Sequence, residues 1–533
     1  MKRIVNAGIC IILIILLMNC ARRGNPTGGP KDETPPVLLK ASPDLNSTNF
    51  KSKKIRLSFD EYVKLKDLQK QLIVSPPSKL MPEIRPQGSA SKSIDIIIKD
   101  TLKENTTYVF NFGQSIVDNN EENSYPFFKY VFSTGNEIDS LSISGIITDA
   151  VKKDAEKFVS VMLYEVDSTF TDSIIYKNPP NYITNTLDST ANFELTNLKE
   201  GSYMLIAMKD VSSNNLFDQF SDKIAFVKNI VTIPSDSFYT LNLFKEIPNF
   251  RATKPKLVSK NRILFGYNGI ADSMKIEMLS EVPEDFRSLI LKEPEKDTLN
   301  FWFTPFETDS LNFLVTNKKV LDTFTVKIKD LYRDSLKINP VERQLQFDKP
   351  FEITSNIPIT NSDKQKIKLI DGDSTEIAFT TELDKLKNKL KLFWNIGPGK
   401  RYLLTLYPEA ITDFYGNKND TLSYGLSSKN YSELGNISLQ LRNVKSYPLI
   451  IQLTNDKGVV IKEQFTEQPK ESYDFKNLNP GEYFIRVIFD ANGNRMYDTG
   501  NYLLKIQPER IVYYPESVEL RENWELKQEF ILE

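Results

Sequence analysis

The residues best placed for chemistry stand together near one end of the chain, in Asp490-Ala491-Asn492-Gly493-Asn494-Arg495-Met496-Tyr497-Asp498. Four side-chain oxygens recur at positions 1, 3, 5 and 9 of this stretch, in Asp490, Asn492, Asn494 and Asp498, with a glycine at position 4. A calcium ion takes about six to eight oxygens, and a tight loop with alternating Asp and Asn can turn several of them inward. The spacing follows the first part of a calcium loop. It departs from the EF-hand pattern, because the glycine is not at position 6 and Asn501 stands where the twelfth-position Glu would be. The flanks also read as strands. A second reading is therefore kept beside Ca2+: a hairpin loop whose Asn and Gly supply left-handed backbone. A weaker copy lies earlier, with Asp210, Asn214 and Asp218 in register, Ser212 in place of Asn492 and Ser213 in place of Gly493.

The chain has no histidine. This removes the commonest general base and the commonest transition-metal ligand, and with them every Ser-His-Asp or Cys-His arrangement. A pair of carboxylates or a Ser-Lys dyad is not removed by composition, but no motif argues for either, so no catalytic residue is expected. Positive and negative charges are balanced and evenly spread, without a basic stripe. Nucleic acid is not expected as a partner.

The two cysteines, Cys10 and Cys20, both lie near the N-terminus. Lys2 and Arg3 precede an aliphatic run from Ile9 to Met18, and Leu17-Met18-Asn19-Cys20 follows. The run is about ten residues, too short to span a bilayer, which needs roughly 20. A basic start, an apolar stretch and a lone Cys have the grammar of a cleaved signal over residues 1–19, with Cys20 left as the first mature residue. Cleavage would remove Lys2 and Arg3 and move the net charge from -2 to about -4. Cys10 would be lost and Cys20 acylated, so neither disulfides nor a thiolate metal site are expected. Such domains must be stabilised by burial alone.

This segment resembles a bacterial lipoprotein signal with a relaxed box, as found in Bacteroidota. The resemblance implies palmitate-type acylation at Cys20 and a membrane anchor. Ala21 is at the position where an Asp would imply inner-membrane retention, so the outer membrane is expected, with the periplasmic or surface-facing side undecided. Residues 20–36 are crowded with Gly and Pro and read as a flexible tether.

From Val37 onward the pattern is short β-type runs between turn residues, which predicts an all-β chain of tandem β-sandwiches. In the first unit, 37–136, Phe59-Asp60-Glu61, Thr106-Thr107-Tyr108, Ile116-Val117-Asp118 and Phe132-Ser133-Thr134-Gly135 resemble the bacterial Ig-like domain of S-layer-type proteins. The second unit, 139–247, resembles prealbumin-like modules, with Gly201-Ser202-Tyr203 opening a strand. Residues 250–340 read as a third sandwich. Residues 343–429 echo the first unit, with Leu345-Gln346-Phe347-Asp348 set against Leu57-Ser58-Phe59-Asp60. Residues 432–515 echo the second at an offset of 280, placing Tyr473 on Phe193, Gly481 on Gly201, Tyr483 on Tyr203 and Asp490 on Asp210. The tail, 516–533, is expected to be a strand that pairs back on a neighbouring domain. An array of this kind makes a rod or an arc.

Asp followed by Ser or Thr and then Ala, Ile, Leu, Met, Thr or Val occurs eleven times between Asp100 and Asp420. The tripeptide resembles the O-glycosylation sequon of Bacteroidota envelope proteins. The competing reading is that Asp-Ser and Asp-Thr begin strands after turns. Tyr125-Pro126-Phe127-Phe128 and Tyr513-Tyr514 could present aromatic surface, although such groups usually pack. The chain therefore reads as a non-catalytic scaffold that binds an envelope protein partner. A surface glycan-binding protein and a carboxylate-dependent hydrolase stand as alternatives.

Overall fold

A computed structural model describes residues 32–186, 190–294 and 296–532. The expected signal, Cys20 and most of the tether lie outside these residues, as does the Asp188 tripeptide. Within the described part the chain is nearly all β, and its sheets face each other in tandem Ig-like sandwiches. Period-two burial shows why. In Lys54–Leu65 the side chains of Ile55, Leu57, Phe59 and Val63 are buried while their neighbours are not. A strand with this alternation must lay one face on a partner sheet.

The first sandwich sets the Leu38–Ser42, Lys54–Leu65, Ser91–Ile97 and Glu83–Arg85 sheet against Ile73–Ser75, Thr107–Asn111 and Lys129–Ser133. Phe110, Phe112, Tyr130 and Phe132 fill the space between them. The end of the expected tether is tied down here. Asn123 Nδ2 donates to the Asp32 carbonyl at 2.9 Å, and the Val37 N–H donates to Asp60 at 2.8 Å.

The second and fifth sandwiches have the same topology. In the second, Ser160–Glu165 lies between Tyr182–Asn185 and Gly201–Lys209, and Leu141–Asp149 lies between Asn192–Leu198 and Phe238–Leu243. In the fifth, Leu449–Thr454 lies between Val460–Thr466 and Gly481–Phe489, and Gly435–Arg442 lies between Tyr473–Leu478 and Glu525–Ile531. In each, the first strand pairs in parallel with the last. The register of 280 carries into detail. Tyr203 and Tyr483 are both buried, and each hydroxyl donates to the carbonyl four residues earlier, at Lys199 and Asn479. The terminal strand thus completes its own sandwich, not a neighbour's. Leu526 and Phe530 reach the same core as Ile437 and Leu439, and that burial fixes the pairing.

One echo between the first and fourth sandwiches needs correction. The strand that answers Leu57 is Phe351–Ser355, which pairs with Lys389–Phe393 as Lys54–Leu65 pairs with Ser91–Ile97. Leu345 instead runs parallel to Ser428, as Ser47 bridges Phe132 in parallel. Leu345-Gln346-Phe347 and Phe351-Glu352-Ile353 alternate alike, and only the long-range pairing separates them.

Candidate functional site

The Asp490 loop leaves the long strand Gly481–Phe489 and returns through Ile511–Tyr513. Asp490 is buried and acts as its hub. Its Oδ1 accepts the N–H groups of Gly493 at 2.8 Å and Asn494 at 3.2 Å, and its Oδ2 accepts that of Arg495 at 2.8 Å. Gly493 and Arg495 take the left-handed backbone that turns these donors inward, with φ of 73° and 67°. The structure does bring the four expected residues together. Asn492 Nδ2 and Asn494 Nδ2 both donate to Asp498 Oδ2, at 2.6 and 2.7 Å. The loop is therefore closed by its own hydrogen bonds. Presenting oxygens to a cation would require both amides to turn over and give up those bonds.

A residue that the sequence reading missed completes the loop. Glu509 accepts the Ala491 N–H on Oε1 at 2.7 Å and the Asp498 N–H on Oε2 at 3.0 Å. Burial pushes its carboxyl up from the ordinary range, and the Asp490 and Asp498 charges add to the shift. The sister loop is braced in the same way by Asp222, which is fully buried. It accepts the Val211 N–H at 3.0 Å and the Asp218 N–H at 2.8 Å, the same two loop positions. The braces are 287 positions apart while the loops are 280 apart, so an ungapped alignment of the repeats does not pair them.

The sister loop is less complete. Asp210 Oδ2 accepts the Asn215 N–H at 2.7 Å, but Oδ1 is buried without a partner. Burial raises the Asp210 carboxyl above its ordinary range, and Asp222 contributes to the shift. Asn214 Oδ1 accepts the Leu216 N–H, and Asp218 Oδ1 accepts that of Phe220. Among the described residues no cluster of three or more His, Cys, Asp or Glu is arranged to hold a metal ion. Asp210 lines a cavity of about 420 Å³ at the junction of the first and second sandwiches, with Leu72, Met81 and Ile183 on its walls.

A contact between two sandwiches lies beside these loops. The segment following Asp498 leaves its own sandwich and docks on the second. Tyr502 is fully buried among Phe226, Phe244 and Tyr164, with its ring 5.4 Å from that of Phe226 at 78°. Its N–H donates to the buried Glu246 carboxylate. Lys505 covers the Tyr502 ring, 4.1 Å from its centre, and pairs with Asp172 at 2.6 Å. Gln507 Nε2 donates to the Phe226 carbonyl, and Thr499 Oγ1 donates to that of Lys245. Gly500 fits because a Cβ there would lie 2.7 Å from the Phe244 ring. The chain thus folds back, so that its two like sandwiches clasp each other across the third and fourth. The third and fourth are themselves locked by Trp302, Ile357 and Phe414 and by the Tyr415 hydroxyl, which donates to the Asn261 carbonyl at 2.9 Å.

The aromatic candidates pack. Phe128 is buried, Tyr125 sits against Phe59 and Phe128, and Tyr514 meets Phe530 edge-on at 5.3 Å. Phe127 alone of that group is exposed. The described Asp-Ser and Asp-Thr tripeptides all keep their hydroxyl residue at least partly exposed.

Residues 32–134 match the bacterial Ig-like domain family. No curated protein matches the chain. Among solved structures, domains 1–6 of the surface layer protein SbsC are 9% identical, with a TM-score of 0.16 over 91% of this chain and 67% of that one. BcpA, the major pilin subunit of Bacillus cereus, is 11% identical, with a TM-score of 0.14 over 74% of this chain and 99% of that one. The I9–I11 tandem from titin is 11% identical, with a TM-score of 0.12 over 53% and 100%. TM-scores this low carry no argument about what the chain does.

Proposed function

We propose that the chain is a lipid-anchored cell-envelope lipoprotein of the Bacteroidota kind, held in the outer membrane through Cys20. On this reading it is a non-catalytic scaffold within or beside an outer-membrane protein complex. The observation that carries the reading is the clasp at Tyr502. A chain whose first and last like modules grip each other holds its sandwiches in one arrangement, as a scaffold must and a string of loose modules does not. The junctions between sandwiches are also packed, at Trp302 and Phe414 and between Ser75 and Ile183.

Glu83 and Asp95 share a cleft, and both are held by cations. Hydrogen bonds from Lys99 and Arg85 lower Glu83, and Arg56 and Lys54 hold Asp95 down at about 2. Neither acid keeps a proton to donate near neutral pH. The tryptophans give a glycan platform little support: Trp302 is buried, Trp394 packs against Phe351 and Tyr402, and Trp524 is exposed with the Arg521 guanidinium over its ring. The test is affinity capture from solubilised outer membranes through a tag inserted at Leu386, which is 81% exposed. Recovery of one stoichiometric envelope protein is expected. Recovery of the chain alone, with glycan arrays positive, would favour the binding-module alternative.

A further inference from the structure

The terminal strand Glu525–Ile531 is outermost in its sheet. It pairs in parallel with Gly435–Arg442 on one side, and no described strand pairs with its other side. The direction of its backbone groups follows from the bonds at its two ends. The Asn436 N–H donates to the Trp524 carbonyl at 2.8 Å, and the Leu532 N–H donates to the Arg442 carbonyl at 3.0 Å. In a parallel ladder this turns the even-numbered residues toward the partner. Glu525, Lys527, Glu529 and Ile531 therefore point their N–H and C=O groups outward. The sister strand Phe238–Leu243 has no such open edge throughout, because Phe244 after it exchanges two 2.9 Å bonds with Ile224.

An open edge with charges normally resists pairing. Here the signs alternate as Glu525, Lys527, Glu529 along one face. A second copy related by a twofold axis through Gln528 would run antiparallel and overlap all seven residues. Lys527 then stands opposite Glu529 twice, and Leu526 opposite Phe530 twice. Shifting the axis by two residues in either direction cuts the overlap within the strand to 525–527 or 529–531 and loses the Leu526–Phe530 pairs, and only the shift toward Glu525 sets opposite charges, Lys527 and Glu525, face to face. Opposite charges and apolar residues in directly facing positions each stabilise a sheet. Glu529 is already held by Arg442 at 2.5 Å, so Lys527 of a second copy would join an existing pair.

We propose that this edge is a self-association surface, on which a second copy of this chain joins two three-stranded sheets into one. A seven-residue strand is a small interface beside the roughly 1,600 Å² of a standard one. The copies therefore associate weakly when dilute, and trapping is the suitable readout. In this register Gln528 faces its own copy at a non-hydrogen-bonded position, where opposing Cα atoms lie about 4.5 Å apart. That spacing is within disulfide range.

The test uses the full chain carrying Gln528→Cys, expressed in its own membrane and treated with a mild oxidant. The expected result is a reducible dimer at least several-fold above both the unsubstituted chain and a Leu321→Cys control on another exposed strand. Adding Lys527→Glu should cut the dimer several-fold by setting Glu against Glu529. Adding Glu529→Lys to that variant should restore it. A Gln528→Cys yield no greater than the Leu321→Cys yield would overturn the proposal. So would a yield indifferent to both charge changes, because random collision behaves in that way.

Discussion

Tyr502 donates its backbone N–H to the carboxylate of Glu246, a residue 256 positions earlier in the chain. Both are buried, and the bond fixes the fifth sandwich on the second. The core that receives the Tyr502 ring contains Phe217, Ile224 and Phe226, so the clasp is a hydrophobic joint with a polar key.

Truncating Tyr502 tests that joint. A buried aromatic changed to Ala costs about 3–5 kcal/mol, and here the loss falls on docking, not on either sandwich. Tyr502→Ala should enlarge the radius of gyration in small-angle scattering and speed hydrogen exchange at the amide of residue 502, whose acceptor is Glu246. Unchanged scattering and exchange would mean that the other contacts hold the joint without it.

The two loop braces should differ in worth. Asp222 is fully buried and accepts from Val211, Asp218 and Ser221, whereas Glu509 is partly exposed and accepts from two donors. A buried donor left unpaired costs about 1–3 kcal/mol. Asp222→Ala should therefore lower stability in urea by about 3 kcal/mol, and Glu509→Ala by nearer 1 kcal/mol. Equal losses would contradict the reading from burial.

Calcium offers a third check. The amides of Asn492 and Asn494 are committed to Asp498, and all the oxygens that Asp490 offers are taken by backbone N–H groups. The melting temperature should be the same in millimolar calcium and in chelator. A rise of several degrees with calcium would show that the amides turn over and that the loop is a cation site.

Acid should loosen the second sandwich. Hydrogen bonds from Lys152 and Lys223 hold Glu156 down at about 2, and Lys223 also meets the buried Asp149. The folded carboxyl titrates below its unfolded value of 4.5. Its contribution is therefore whole above that value and is lost as the pH falls toward 2. Glu156→Gln should flatten the pH dependence of the urea midpoint between about pH 5 and 2. An unchanged slope would place the acid sensitivity elsewhere.

What the sequence could reveal follows from the range of its signals. The β-sandwich class and the repeat of 280 were legible because alternation is local and because Tyr203 and Tyr483 keep one spacing from their strands. The acidic loops were legible as loops, since Asp, Asn and Gly at fixed offsets are a local pattern. Glu509 and Asp222 were not legible, because equivalent carboxylates arrive from positions that are out of register. Tyr502 reads as one more tyrosine in a turn, and only the face of a sandwich far back along the chain gives it a role. Leu345 and Phe351 could not be told apart for the same reason: their difference lies in what they pair with.

Intact mass of the native protein, taken from membranes, tests the central claim most directly. The account predicts a chain that begins at Cys20 and carries a lipid, recovered with the outer membrane. Any further mass in sugar-sized steps would show that the chain is glycosylated. An unacylated polypeptide recovered in the soluble fraction would contradict the account.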